Sequence, residues 1–374
     1  MNKIDIKSMT RDEVTALVTG WGLPAYRGKQ IFSRLAAGAE SFEDMTALPQ
    51  TLRALLGERC FIAGVKEILR RSSVKDGVVK FLFELYDGAR IESVLMKYEY
   101  GYSLCLSTQV GCRMGCGFCA TGKGGLTRNL LPSEMLSQIH AAQKSAVFAN
   151  SKPDTANAEQ NNSQFSIFNS QLTEGQARSE IGRLVLMGMG EPLDNYDNVL
   201  RFLRLVSSPE GLHIGMRKIS LSTCGLVPRI DKLAEENLQL TLSVSLHAPN
   251  DEMRSKLMPV NRRWNLASIM ESCRRYTKKT GRRISFEYAV MDGQNDTPEC
   301  AKQLAGLVRG MGAHINIIPL NPVAGSGFPG GKNAARFAAQ LNAMGLNATV
   351  RRTLGADIDG ACGQLSTFNS QLST

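Results

Sequence analysis

The chain has 374 residues, 43% of them apolar, which is enough for one large α/β domain with a smaller accessory region. There is no apolar run of the roughly eighteen residues a spanning helix needs, and the amino-terminal Met1-Asn-Lys-Ile-Asp-Ile-Lys7 lacks the apolar stretch of a secretory leader, so a cytoplasmic protein with no membrane partner is expected. A net charge of +10 points to a polyanionic partner. Residues 9–56 read as short helices, opened by Thr10-Arg-Asp-Glu13, whose Ser/Thr-x-x-Glu spacing predicts a capping box. From residue 65 the apolar period switches toward two. Segments 78–86 and 89–96, joined by Asp87-Gly88, predict a β-hairpin. Residues 1–97 are therefore read as an accessory region, helices then hairpin.

The remainder alternates between periods of two and 3.6. Strands are predicted at 104–107, 183–187, 218–222, 240–246, 284–290 and 315–319, and helices at 132–147, 195–206, 227–236, 265–279, 298–310 and 334–344. Six βα units imply a parallel sheet curled into a partial, open (β/α)6 TIM-like barrel over 98–355, with its site at the C-terminal strand ends. Residues 150–180 break this plan. They are rich in Asn, Gln, Ser and Thr, and predict a disordered insertion. The pentapeptide Phe168-Asn-Ser-Gln-Leu172 recurs as Phe368-Asn-Ser-Gln-Leu372, which suggests duplicated sequence without a functional role. Residues 356–374 form a C-terminal segment and tail.

Chemistry concentrates just after the first predicted barrel strand. Cys112, Cys116 and Cys119 have the spacing C-x3-C-x2-C with no fourth Cys or His close behind. A structural zinc site closes with four ligands, whereas three thiolates can hold three irons of a [4Fe–4S] cube and leave the fourth iron open. That open iron can take the amino and carboxylate groups of S-adenosylmethionine (SAM), the arrangement of the radical-SAM enzymes, whose motif these residues resemble. The alternative is a zinc knuckle that borrows His140 or Cys105. The other cysteines, Cys60, Cys105, Cys224, Cys273, Cys300 and Cys362, lack the spacing of a disulfide framework, and a reducing compartment fits them.

One βα unit further on, Gly188-Met-Gly190-Glu191-Pro192 closes a predicted strand. Its turn exposes carbonyls and adds a carboxylate, acceptors suited to the ammonium of SAM. Ser222-Thr-Cys224-Gly225, Ser245-Leu246-His247 and Asn321-Pro322 give later strands polar ends, which suit either ligand contact or helix capping. No acid–base role is assigned to His247. Between Arg254 and Arg283 lie ten Lys or Arg and one acid, Glu271, the footprint of a phosphate-gripping surface. Near the C-terminus, Asp357-Ile-Asp-Gly-Ala-Cys362-Gly-Gln-Leu365 presents a thiol flanked by small residues.

These motifs occur in the order found in the radical-SAM adenine-C2 methyltransferases of ribosomal and transfer RNA, the RlmN family, which the chain resembles most clearly over 91–365. The resemblance implies a [4Fe–4S] cluster on Cys112, Cys116 and Cys119, and SAM contacts from Gly190, Glu191, Ser222, Ser245, Leu246, His247 and Asn321. It implies that Cys362 carries the methyl group, that Cys105 is its thiol partner in a disulfide, and that Glu92 accepts the C2 proton. It further implies two SAM per turnover, 23S rRNA and tRNA as substrates, an external electron donor and a monomeric enzyme. Two other functions compete. One is the sibling chemistry at adenine C8 of rRNA, which confers antibiotic resistance. The other is a non-catalytic RNA-binding protein built on a zinc knuckle.

Overall fold

The protein is described here by a computed structural model covering residues 3–150, 181–321 and 327–365. The expected insertion at 150–180, the tail after residue 365 and both pentapeptide copies lie outside the described residues, apart from Asn150, which ends a helix.

A short strand β1 (Ile4–Asp5) runs parallel to β2 (Cys60–Phe61) and closes off a helical unit. Its helices are α1 (Arg11–Gly20), α2 (Tyr26–Ala36) and α3 (Gln50–Arg59). The predicted capping box opens α1: Glu13 N–H donates to Thr10 Oγ1 (3.3 Å) and Thr10 N–H donates to Glu13 Oε2 (2.7 Å). Val14, Val18, Ile31, Leu35 and Leu56 turn inward from these helices and are buried.

Ten strands form one sheet, in the order β14-β13-β12-β11-β10-β9-β6-β5-β4-β3. Strands β3 (Lys66–Ser72), β4 (Val79–Glu84) and β5 (Arg90–Tyr98) make an antiparallel meander, and β5 pairs antiparallel with β6 (Gly101–Cys105). The predicted hairpin is thus β4 and β5, and its sheet runs unbroken into the barrel. From β6 onward neighbours are parallel: β9 (Ile181–Leu186), β10 (Ile219–Thr223), β11 (Thr241–Ser245), β12 (Ser285–Val290), β13 (His314–Pro319) and β14 (Asn347–Val350). The six predicted barrel strands are all present. The seventh, β14, is only four residues long and three of them are partly or fully exposed or polar, so its period was too short to read. A separate ribbon, β7 (Gln109–Gly111) with β8 (Leu126–Asn129), flanks the cysteine loop.

Side-chain alternation explains the open interior. Leu184, Leu186, Ile219, Leu221, Leu242, Val244, Phe286, Tyr288, Ile315 and Ile317 are buried beneath the outer helices. A fully buried side chain of this kind contributes roughly 1.5–3 kcal/mol. The opposite face carries Arg183, Ser220, Ser243, Glu287, Asn316 and Arg351, which line a cavity of about 780 Å³. Apolar residues pack the outside of the sheet, and polar ones leave its inside hollow.

Candidate active site

The cysteine loop joins β7 to a short helix, α4 (Ala120–Lys123), which begins directly after Cys119. Gly111 has φ +76°, and a Cβ there would stand 2.0 Å from the Gly125 carbonyl oxygen, so only glycine lets the two ends of the loop meet. Cys112 N–H donates to that same Gly125 oxygen at 2.7 Å, and Cys119 N–H donates to the Cys116 carbonyl at 3.1 Å. All three thiols are free and half-buried. Burial pushes the Cys112 thiol up to about 12. Burial also raises Cys116, followed by repulsion from Cys119 and Cys112, so the three sulfurs share one field. Three thiols crowded at one loop, two of them resisting ionisation, are a donor set completed by metal, and they fit an iron–sulfur cube. Among the described residues no three His, Cys, Asp or Glu side chains converge on a single-ion site. A cube takes one thiolate per iron. Of the two fourth ligands considered for zinc, His140 has its Nε2 bound to the Ala36 carbonyl (3.1 Å) in the helical unit, and Cys105 is buried at the end of β6, within the field of Cys362.

The Gly188–Pro192 turn follows β9 and docks on the strand that enters the cysteine loop. Met189 N–H donates to Ser107 Oγ (2.9 Å), and Glu191 N–H donates to Gln109 Oε1 (2.8 Å). Gly190 has φ +105°, and a Cβ would press to 2.6 Å from Gln109 Cβ. Glu191 is buried, which raises its carboxyl pKa. Its two oxygens accept from Leu193 N–H (3.0 Å) and Cys224 N–H (2.7 Å) and so tie the β9 and β10 ends together.

Ser222 and Ser245 sit on the inward face at the ends of β10 and β11, and Ser245 is in register with Glu287 of β12. Leu246 and His247 follow, both buried. Burial, then Arg254, lowers the His247 pKa to about 3, and its Nδ1 accepts from Ala289 N–H at 2.9 Å. The ring is therefore neutral with its proton on Nε2, and it meets the Phe118 ring edge-on at 5.0 Å. Asn321 is half-buried two residues beyond β13. The SAM-assigned residues thus rim one mouth.

Cys105 and Cys362 come together from opposite ends of the barrel sequence. Cys105 ends β6 and is buried; burial first, then Cys362, pushes its thiol up to about 12, and Arg351 opposes both. Cys362 is half-buried on a segment held against the cysteine loop. Ala120 N–H donates to the Gly363 carbonyl and Thr121 Oγ1 donates to the Leu365 carbonyl, each at 2.8 Å. Glu92, in β5, is wholly buried and ion-paired with the equally buried Lys80 of β4 at 3.3 Å. Ser107 Oγ donates to the Glu92 carbonyl (2.6 Å), which fixes the end of β6 to β5.

Three residues of this site escaped the sequence reading. Arg351, just past β14, has its pKa raised, first by Cys362 and, against its burial, by Glu287 and Cys105, and its Nη1 lies 3.3 Å from Met187 Sδ. Lys80 was hidden in a strand. Arg254 corrects an expectation: read as the start of a basic surface, it is fully buried. Its guanidinium donates to the carbonyls of Leu246 (3.2 Å), Cys224 (2.7 Å) and Ser245 (2.9 Å), and to Asn261 Oδ1 (2.8 Å). It therefore pins the mouth rather than a phosphate. Part of the remaining basic stretch is neutralised. Arg275 pairs with Asp231 (2.8 Å) and Glu271 (2.9 Å), and Lys279 with Glu235 (2.9 Å).

A half-barrel with three free cysteines at the mouth, a glycine-rich turn beside them and polar strand ends around them defines a radical SAM enzyme. The Radical SAM superfamily pattern matches residues 171–304. A radical SAM methyltransferase from Sphaerobacter thermophilus superposes with a TM-score of 0.85 at 41% identity, covering 97% of this chain and 99% of that one. The probable dual-specificity RNA methyltransferases RlmN of Lachnoclostridium phytofermentans and Pelotomaculum thermopropionicum are 43% and 46% identical. Each alignment covers 97% of this chain, with 94% and 92% of the respective relatives. The chain belongs to the RlmN family of radical SAM RNA methyltransferases, and its cofactors are a [4Fe–4S] cluster and SAM.

Proposed function

We propose that the enzyme methylates C2 of an adenine in 23S rRNA and in tRNA, with Cys362 as methyl carrier, Cys105 as resolving thiol and Glu92 as base. The observation that carries this reading is the approach of Cys362 to Cys105, two thiols far apart in sequence that share Arg351 as a neighbouring charge. Adenine C2 is an electron-poor amidine carbon, so it does not attack a sulfonium methyl group. When bound, the cluster and SAM supply an electron and the carbon radical that abstracts hydrogen, and a second SAM supplies the methyl group.

Cys112, Cys116 and Cys119 would hold the cluster. Gly190, Glu191, Ser222, Ser245, Leu246, His247 and Asn321 would hold SAM at the strand ends. Cys362 gives up its proton and takes the methyl group on sulfur. After hydrogen loss from that methyl, the carrier carbon bonds to C2 and joins protein to RNA. The adduct then loses its unpaired electron together with the C2 proton, which Glu92 accepts, and is left as a closed-shell thioether. Cys105, as thiolate, attacks the Cys362 sulfur, so that an S–S bond forms as the S–C bond breaks, and the released carbon takes up a proton to become the methyl group on C2. Two electrons from an external reductant then restore both thiols. Residues 1–97 and the exposed part of 254–283 would grip the RNA, whose target base must leave its stack to reach the mouth. A cytoplasmic monomer served by a separate electron donor completes the reading.

Cys105→Ala tests it. The variant should bond to RNA and stall there, visible as a nuclease-sensitive band of reduced mobility on a denaturing gel. Cys362→Ala, alone or combined with it, should abolish both band and methylation while iron content holds. Normal turnover by Cys105→Ala would refute the resolving role.

A further inference from the structure

Lys80 and Glu92 lie on neighbouring strands, diagonal across the register in which Lys80 faces Val94 and Leu82 faces Glu92. Both side chains are entirely buried, with Lys80 Nζ 3.3 Å from Glu92 Oε2. The same ammonium donates to the Asp359 carbonyl at 2.9 Å. Asp359, three residues before Cys362, is a non-glycine residue with φ +52°, part of a tight turn. Gly355 N–H donates to Asp76 Oδ2 (2.8 Å) and Gly360 N–H to the Gly355 carbonyl (2.9 Å), and Val78 sits so close that a Cβ on Gly355 would stand 3.0 Å from its Cγ1. The start of β4 and the loop before it therefore form a cradle for the turn that carries Cys362.

We propose that Lys80 is a positioning residue that keeps Glu92 a carboxylate, with one ammonium shared between that base and the turn that carries Cys362. This rests on the assignment of Glu92 as the base. A carboxylate taken wholly out of water reverts to its neutral form unless a counter-charge accompanies it. A buried Lys–Glu pair stabilises a sheet no better than two well-packed apolar side chains, so packing alone gives no reason for one here. Burial lowers the Lys80 pKa while Glu92 and then Asp359 raise it, and Arg71 on β3 repels the ammonium. The two charged groups face one another at 3.3 Å.

The test compares Glu92→Gln, Lys80→Met and Lys80→Gln in cluster-loaded enzyme. It reads methylated RNA, the covalent protein–RNA band and, by mass, the methyl group on Cys362. Lys80→Met removes the ammonium that faces a buried carboxylate and threatens the fold. Lys80→Gln removes the charge but keeps a donor for the Asp359 carbonyl, and it carries the test in that event. Each Lys80 variant is expected to keep its cluster and a methylated Cys362, lose about a hundredfold in product formation, and accumulate the same RNA-bonded band as Glu92→Gln. A purely structural residue would produce no such band, since the bond to RNA needs a working site. Folded Lys80 variants without the band, beside a Glu92→Gln enzyme that shows it, would overturn the coupling alone. A Glu92→Gln enzyme that turns over freely would remove the base and the coupling with it.

Discussion

Burial settles the protonation of His140 and His247, and their behaviour reports how tightly each site is closed. His140 is pushed down to about 3, first by burial and then by Lys7, and it sits far from the cysteine loop. Its folded pKa lies below the unfolded value of about 6.5, so the unfolded chain binds more protons as pH falls below that value. Stability is therefore whole above pH 6.5 and is lost on acidification toward pH 3, by at most about 1.4 kcal/mol per pH unit from this one group. Replacing His140 by Phe should flatten the fall in melting temperature between pH 6.5 and 4.5; an unchanged slope would mean that His140 is hydrated. Arg254 offers a second test. Arg254→Met leaves the Cys224, Ser245 and Leu246 carbonyls without this donor and should cost about 3 kcal/mol by urea denaturation. A loss below about 1 kcal/mol would show that water replaces it. The cysteines and the glycine–glutamate turn were legible because their chemistry demands fixed spacing. Arg254 was misread because a charge run does not reveal which guanidinium turns inward, and Arg351 and Lys80 were silent because their partners are distant in sequence.

Among the elements, the helix Leu266–Thr280 shows how one charge run serves two purposes. Asn265 caps its start, with its side chain accepting from Ser268 N–H, and Gly281 ends it in the left-handed conformation at φ +66°. One flank faces the helix Val227–Glu235 and ties Arg275 and Lys279 to Asp231 and Glu235. Arg274 and Lys278 are exposed. Changing Arg274 and Lys278 to Gln should lower RNA affinity and flatten its salt dependence, because phosphate contacts release counterions. The same change at Arg275 and Lys279 should affect RNA binding less, and should lower stability by no more than about 1 kcal/mol, the usual range for exposed pairs. Filter binding at several salt concentrations separates the two pairs, and equal losses would make the whole helix an RNA surface. The longer barrel helices and six barrel strands were readable from period alone, whereas the short helices Ala120–Lys123 and Asp251–Leu257 were not. β14 was not, since four residues carry too little periodicity.

For the molecule as a whole, the consequential feature is the continuity of the ten-stranded sheet through β5 and β6. The edge of β6 is covered by β5, and Phe81, Phe83, Ile91 and Leu95 are buried with the barrel residues in one apolar core. A protein lacking residues 1–97 would expose that edge and a flat apolar face, which pair readily with other chains. Such a fragment is expected to aggregate, whereas the full chain should unfold in one step; a soluble, cluster-binding fragment on gel filtration would contradict this. The hairpin was visible in its alternating residues and its Asp87-Gly88 turn. Its attachment to the barrel was not, because pairing between strands is decided by neighbours that no local pattern names.

The docking of the segment 355–365 on both Lys80 and the Ala120–Thr121 backbone gives the order of translation a chemical meaning. Every strand of the sheet leaves the ribosome before this segment does, so a nascent chain has its cysteine loop uncovered until the last stage of synthesis. Cys362, the proposed methyl carrier, is therefore the last of the site's residues to be made, and its segment closes over a loop whose three cysteines are already in place.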